Sequence, residues 1–406
     1  MEVSETRIQE SPAGEDRIRY SATVSYDDGK REPEEFWFDV PRQFSDALQP
    51  SGNPWLAAVL PIAAKINEPV RLVEPVDPRV YEGVLEVLQV WNTWEPDTMH
   101  IPKIEAPLAP RISNEPMGRI GSFFSGGVDS FFSAIYHDDL PEGMPRVTDL
   151  ISCWGFDIPL KHTDEIASAR KSLDKAAEAL GKTRIDVWTN IRKTRIDDYD
   201  WGRYTHGCAL AAVALMLEPR FWRVQIPSTW GPSGEELFAW GNHVLTQPKF
   251  SSQRMQIVFD GIAFGRTDKI AYLKDNAVAM NHIRSCWKTR GANNCSVCGK
   301  CMRVMIALTA HGARGRCTTF DWNNFSYEKL RAFRISDEFD THNFFTMMLA
   351  LPKGTDPELL AAMKDCVEQN QRYYKRLRRF EKLEYTRFIG WAFGHYKRRR
   401  VMDPKK

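Results

Sequence analysis

Hydrophobic positions along the chain change period several times, and each change marks an element. "RIRYSATVSYDDGKREPEEFWFDV" alternates apolar and polar residues on either side of a Tyr-Asp-Asp-Gly turn, which predicts a β-hairpin. "WLAAVLPIAAKI" and "RVYEGVLEVLQVW" carry helical spacing, with Pro61 expected to bend or break the first. A proline-rich stretch, "EPDTMHIPKIEAPLAP", then closes a small α/β unit near residue 112. Beyond it the pattern alternates regularly. Strands are predicted at 120–124, "VTDLISCWGF", "RIDVWTN" and "FWRVQIPS". Helices are predicted at 128–136, at "DEIASARKSLDKAAEALG" ending on Gly181, and at "CALAAVALML". Strands alternating with helices imply a parallel sheet covered on both faces. After about residue 318 the chain turns helical, polar and then basic. The expected organisation is an accessory α/β domain over 1–112, a central α/β domain over 113–317 and a helical, basic extension over 318–406.

Composition narrows the class. Of 406 residues, 43% are hydrophobic and 27% charged, as in a globular chain. No apolar run reaches the roughly 18–20 residues of a membrane helix. The first sixteen residues are acidic and polar without an apolar core, so they do not read as a signal peptide, and the cytoplasm is the expected compartment. The net charge of +2 conceals an asymmetry: residues 371–406 hold 13 Lys/Arg against 3 Asp/Glu, leaving −8 for the rest.

The stretch "FFSGGVDSFFSAI" places Ser125, Gly126, Gly127, Val128, Asp129 and Ser130 between a predicted strand and a predicted helix. An open parallel sheet binds anions there, at a strand's carboxyl end and a helix N-terminus. Two glycines let backbone N–H groups approach phosphate oxygens, and Ser125 and Ser130 add hydroxyls. Asp129 cannot bind phosphate directly, so it is expected to hold Mg²⁺ or to fix the loop. The loop lacks the Gly-Lys-Ser/Thr ending of a kinase-type P-loop. A supporting cation is therefore needed, and Lys269 in "FGRTDKIAYL" and Arg203 in "DWGRYTHGCALAA" are the candidates.

Cysteines 286, 295, 298 and 301 follow a Cys-x8-Cys-x2-Cys-x2-Cys spacing. Four thiolates suit a closed, structural Zn²⁺ site, with an iron–sulfur cluster as the competing reading. Cys153 and Cys208 fall in a predicted strand and helix and read as inert core residues.

Ser-Gly-Gly-x-Asp-Ser resembles the signature of the PP-loop ATP pyrophosphatases, a Rossmann-like family in which this loop grips departing pyrophosphate. With the Asp268-Lys269 pair and the cysteine spacing, residues 118–310 look similar to the 7-cyano-7-deazaguanine synthases of that family. The resemblance implies ATP, Mg²⁺ and Zn²⁺ as cofactors and a 7-deazaguanine carboxylate as substrate. It implies an AMP-forming ligase with Asp129, Lys269 and Arg203 as catalytic residues, Ser125 to Ser130 on the nucleotide, and Cys286, Cys295, Cys298 and Cys301 on the metal. Two departures stand out. Gly-Arg-Tyr at 202–204 replaces the family's Gly-Arg-Asn, and "STWGPSGEELFAWGN" departs from its acidic substrate loop. The additional flanking residues suit the extended relatives in bacterial antiphage systems, where a protein or nucleic acid would be the acceptor. A homodimer is left open.

The tail "QRYYKRLRRFEKLEYTRFIGWAFGHYKRRR" interleaves basic and aromatic residues, a composition suited to nucleic acid. Its helical spacing of Tyr373, Leu377, Phe380 and Glu384 favours an amphipathic helix docked through Leu377 and Phe380. Two other functional classes remain: a nucleic-acid-binding module on a metal-bearing scaffold, and a PP-loop tRNA sulfurtransferase. The intact loop argues against the first, and metal-occupied cysteines against the second.

Overall fold

The computed structural model describes residues 1–111, 118–229, 239–286, 288–289 and 291–383, with the side chains of 338 and 379–383 left aside. The chain divides into two compact units: Met1–Cys295 with Arg316–Thr319, and Ser296–Gly315 with the residues from Phe320 on.

The first unit is built on one ten-stranded sheet. Its strands are β1 (Glu2–Glu10), β2 (Arg17–Ser25), β3 (Glu34–Pro41), β4 (Val70–Leu72), β5 (Ile104–Glu105), β6 (Ile120–Phe123), β7 (Asp149–Trp154), β8 (Thr183–Thr189), β9 (Arg223–Pro227) and β10 (Gln256–Asp260). Their order is β10-β9-β6-β7-β8-β3-β2-β1-β4-β5. The run from β10 to β8 is wholly parallel. All four residues of β6 are buried, as expected of a strand covered on both faces.

Helices α1 (Asn53–Ile66), α2 (Pro78–Trp94), α3 (Val128–Tyr136), α4 (Thr163–Ala179), α5 (His206–Met216), α6 (Arg266–Leu273) and α7 (Ala277–His282) belong to the same unit. Gly181, at φ +64°, terminates the turn after α4, where Lys182 N–H donates to the Ala177 carbonyl at 2.9 Å.

Two observations refine the sequence reading. Pro61 does not break its helix: α1 continues through it, buried from Asn53 to Ala64. A helix apolar all round packs on all sides, and that burial offsets the roughly 3 kcal/mol a mid-helix proline costs. Residues 1–105 and 118–260 also share one sheet, because β3 pairs antiparallel with β8 through Phe38 opposite Thr189 and Asp39 opposite Trp188.

The second unit contains α8 (Gly299–Ala310), α9 (Tyr327–Arg331), α10 (Glu338–Leu349) and α11 (Pro357–Leu383). Leu359, Ala362, Met363, Cys366 and Val367 form the buried stripe of α11. Within the unit Arg303 pairs with Asp340 at 2.9 Å.

Candidate anion site and cysteine cluster

Strand order reverses between β6 and β9. The chain moves from β6 out through β7 and β8, then returns to place β9 on the other side of β6. Ligands of open α/β sheets sit at the carboxyl ends of the strands flanking such a reversal. The residues just past β6 are the Ser-Gly-Gly loop, and the residue just past β9 is Ser228.

Gly126 adopts φ +77°, a conformation L-side chains rarely take, and a Cβ there would lie 2.8 Å from Leu173 Cδ2. Gly127 is the N-cap of α3, and no side chain among the described residues caps the first N–H groups of that helix. Ser125 Oγ accepts from Gly127 N–H at 3.4 Å, while Ser130 Oγ donates to the Gly127 carbonyl at 3.0 Å. Both hydroxyls therefore shape the turn. The Gly126 carbonyl accepts from the Arg284 backbone N–H at 2.7 Å, tying the loop to the segment that leads into Cys286.

Lys269 is on α6 and only 1% of its side chain is exposed. Its ammonium donates to the Ser228 carbonyl at 2.6 Å and to Ser228 Oγ at 3.0 Å, and lies 3.5 Å from Asp129 Oδ1. Burial pulls its pKa below the usual lysine value, opposed in part by the Asp129 carboxylate. Arg266, one turn earlier on α6, donates to Asp129 Oδ2 at 2.7 Å. Asp129 Oδ1 is buried, with the Lys269 ammonium 3.5 Å away. The neighbouring Asp268 caps its own helix instead, accepting from Gly265 N–H at 2.9 Å.

Thus the structure brings Lys269 to the loop, together with Arg266 and Ser228, which the sequence reading did not single out. Arg266 could have been found from its i,i+3 spacing to Lys269 on one helical face. Ser228 could have been found from its place after a strand adjoining the loop strand. The pairing of Asp129 with two cations bears on the Mg²⁺ expectation. A carboxylate already facing Arg266 and Lys269 is a poor donor set for a divalent cation, and it fits the alternative role of fixing the loop.

Arg203 sits elsewhere among the described contacts. It lies in a single π-helical turn, Trp201–Thr205, just before α5, and pairs with Glu95 at 2.8 Å. Glu95 also accepts from the hydroxyls of Tyr204 and Thr98 and lies 3.5 Å from Lys65. Residues 230–238 of the altered substrate segment lie outside the described residues. Of its remainder, Asn242 meets His206 Nε2 at 2.9 Å and Trp240 packs edge-on to the same ring.

The ligand sulfurs of Cys286, Cys295, Cys298 and Cys301 all lie within 4.8 Å of one another, and could hold a metal such as zinc. Four thiolates at about 2.3 Å from a tetrahedral Zn²⁺ stand roughly 3.8 Å apart, so little closing is required. Backbone N–H groups of Lys288 and Thr289 point at Cys286 Sγ at 3.3 and 3.4 Å, an arrangement that stabilises thiolate. Asn294 braces the segment: its Oδ1 accepts from Ser285 and Cys286 N–H, each at 2.9 Å, and its Nδ2 donates to the Ile283 carbonyl at 2.9 Å. Cys208 is fully buried and Cys153 half-buried, and burial pushes both thiols up. No helix among the described residues is long and apolar enough to cross a membrane.

Compared with protein-family models, with curated proteins and with solved structures, the chain matches nothing in any of the three.

Proposed function

We propose that the chain is an ATP-dependent adenylating enzyme of the 7-cyano-7-deazaguanine synthase type. The observation that carries this reading is Lys269, a buried lysine held against a Ser-Gly-Gly-Val-Asp-Ser loop at the reversal point of the sheet. In this reading a substrate carboxylate oxygen attacks the α-phosphorus of ATP. The bond from that phosphorus to the bridging α–β oxygen breaks, and pyrophosphate leaves with its electron pair. The uncapped N–H groups at the start of α3 bind the departing pyrophosphate, and Lys269 and Arg266 offset its charge. No serine or cysteine nucleophile is needed. Ammonia would then displace AMP from the acyl adenylate to give a primary amide, which a second activation and loss of AMP and protons convert to the nitrile; an amine of a macromolecular acceptor would stop at the substituted amide.

The cysteine cluster is read as a closed Zn²⁺ site rather than an iron–sulfur cluster, because four thiolates complete the tetrahedral shell of a single zinc ion. Its role is to hold the Arg284 backbone against Gly126. The substrate is read as a 7-deazaguanine carboxylate, with a protein or nucleic acid as final acceptor in antiphage defence.

Incubation with ATP and 7-carboxy-7-deazaguanine, followed by mass spectrometry, tests the chemistry. AMP and pyrophosphate support it; ADP and orthophosphate, or no turnover, reject it. Full conversion to free nitrile with ammonia alone would reject the macromolecular acceptor. Truncation is a poor test, since β1 to β5 are strands of the same sheet.

A further inference from the structure

The second unit contains a groove of about 470 Å³ lined by Arg331, Arg334, Asp365, Gln369, Arg372, Tyr373 and Arg376. Four guanidinium groups share it with one carboxylate. Arg331 is engaged by Asp365 at 3.4 Å and Glu358 at 3.6 Å, and Arg372 by Glu368 at 3.2 Å. Among the described residues the other two have no carboxylate partner. Arg334 lies over the Tyr373 ring at 4.4 Å, and Arg376 is exposed.

The groove has no counterpart in the adenylation site, and packing does not require it. The buried stripe of α11 ends near Asn370, whose amide donates to the Phe333 carbonyl at 2.9 Å. Beyond that point arginines emerge at i,i+4 on the face that Tyr373 shares. Arg334 and Arg376 thus bring to the groove two charges that no carboxylate among the described residues offsets. Guanidinium forks match phosphate oxygens two at a time, which an ammonium does not do. An aromatic ring between them supplies a stacking surface of the kind single-stranded nucleic acids use. We propose that this groove binds the phosphodiester backbone of a single-stranded nucleic acid, with Arg334, Arg372 and Arg376 on phosphates and Tyr373 against a base. An acidic polypeptide would satisfy the charge without stacking on the ring.

Fluorescence anisotropy of the full chain with labelled single-stranded RNA and DNA 20-mers, and with labelled polyglutamate, tests this across a salt series. Both oligonucleotides should bind, more tightly than polyglutamate of equal charge. Arg334→Gln with Arg376→Gln should weaken oligonucleotide binding at least tenfold at low salt. It should also flatten the slope of log K against log salt by about 1.4, the share of two phosphates at roughly 0.7 each. Arg376→Gln alone, on an exposed side chain, should flatten it by about 0.7 and controls for folding. Tyr373→Leu should weaken binding without changing the slope. Unchanged affinity and slope in Arg376→Gln and the double variant would overturn the proposal. So would polyglutamate binding as tightly as the oligonucleotides. DNA-only or RNA-only binding would also overturn it, since a backbone groove takes both.

Discussion

The Lys269 ammonium and Asp129 Oδ1 stand 3.5 Å apart, at a place where the lysine already donates to both oxygens of Ser228. Such a lysine is costly: its charge is almost wholly removed from water, and the nearby Arg266 adds repulsion.

Lys269→Met should cost about 1–3 kcal/mol of stability, because the Ser228 carbonyl and hydroxyl lose a buried donor while Arg266 still compensates Asp129 at 2.7 Å. The same change should lower ATP turnover by at least tenfold. Differential scanning calorimetry with a pyrophosphate-release assay separates the two effects. A large stability loss with intact turnover would mean the lysine is a packing residue.

Gly126→Ala tests the loop from the backbone side. The residue would be strained at φ +77°, and its Cβ would press on Leu173. A cost of about 1–2 kcal/mol follows for an alanine held at positive φ. Relaxation of the turn would swing the N–H groups of Gly127 and Val128 away from a bound anion, so turnover should fall further than stability does. Gly181→Ala, also at positive φ but with nothing within 4 Å, is the control, and should cost stability alone.

Much of this site was legible in the sequence. The loop lies between a strand and a helix as the apolar pattern indicated, and the four cysteines gather as their spacing indicated. What the sequence did not show has physical causes. Strand β1 is exposed at most positions and reads as polar, so the extension of the sheet by β1 to β5 was hidden. Strand β10 was not predicted either, although at five residues it is as long as β9. The partners of Arg203 could not be read either: Glu95 is 108 residues away, and ion pairs between distant segments leave no local signature. The tail was legible in part. Its spacing gives a helix as far as Leu383, with Tyr373 and Leu377 half-buried, while the side chain of Phe380 and the residues from Glu384 lie outside those described.

Elemental analysis should find about one zinc per chain, with no iron and no visible cluster absorbance. Cys298→Ser should abolish stoichiometric metal and lower the thermal midpoint, because the apo thiolates repel and the loop loses its anchor. The Arg284 hydrogen bond to Gly126 predicts a second consequence. Amide hydrogen exchange at 125–128 should quicken when zinc is removed, although none of those residues is a ligand. Unchanged exchange there would break the proposed link between the metal and the loop.

His206 gives a pH dependence whose sign follows from its surroundings. The ring lies between the Trp201 carbonyl, 2.8 Å from Nδ1, and Asn242, 2.9 Å from Nε2, and packs beside Trp201 and Trp240. Burial pulls its pKa below the usual histidine value, and the hydrogen bonds to Asn242 and Trp201 recover only part of the shift. The folded chain thus keeps the imidazole neutral at a pH where the unfolded chain protonates it. Stability from this group is present in full above about pH 6.5, and is lost as pH falls from there to the depressed folded-state value. A single proton sets the ceiling at about 1.4 kcal/mol per pH unit within that window. His206→Gln keeps a side-chain amide between Trp201 and Asn242 and cannot titrate. Its stability should be lower than wild type at pH 8, with the difference shrinking as pH is taken toward 5. Urea unfolding at pH 8, 7, 6 and 5 measures it directly. A gap that stays constant or widens on acidification would show that the imidazole is not held neutral beside the π-helical turn that carries Arg203.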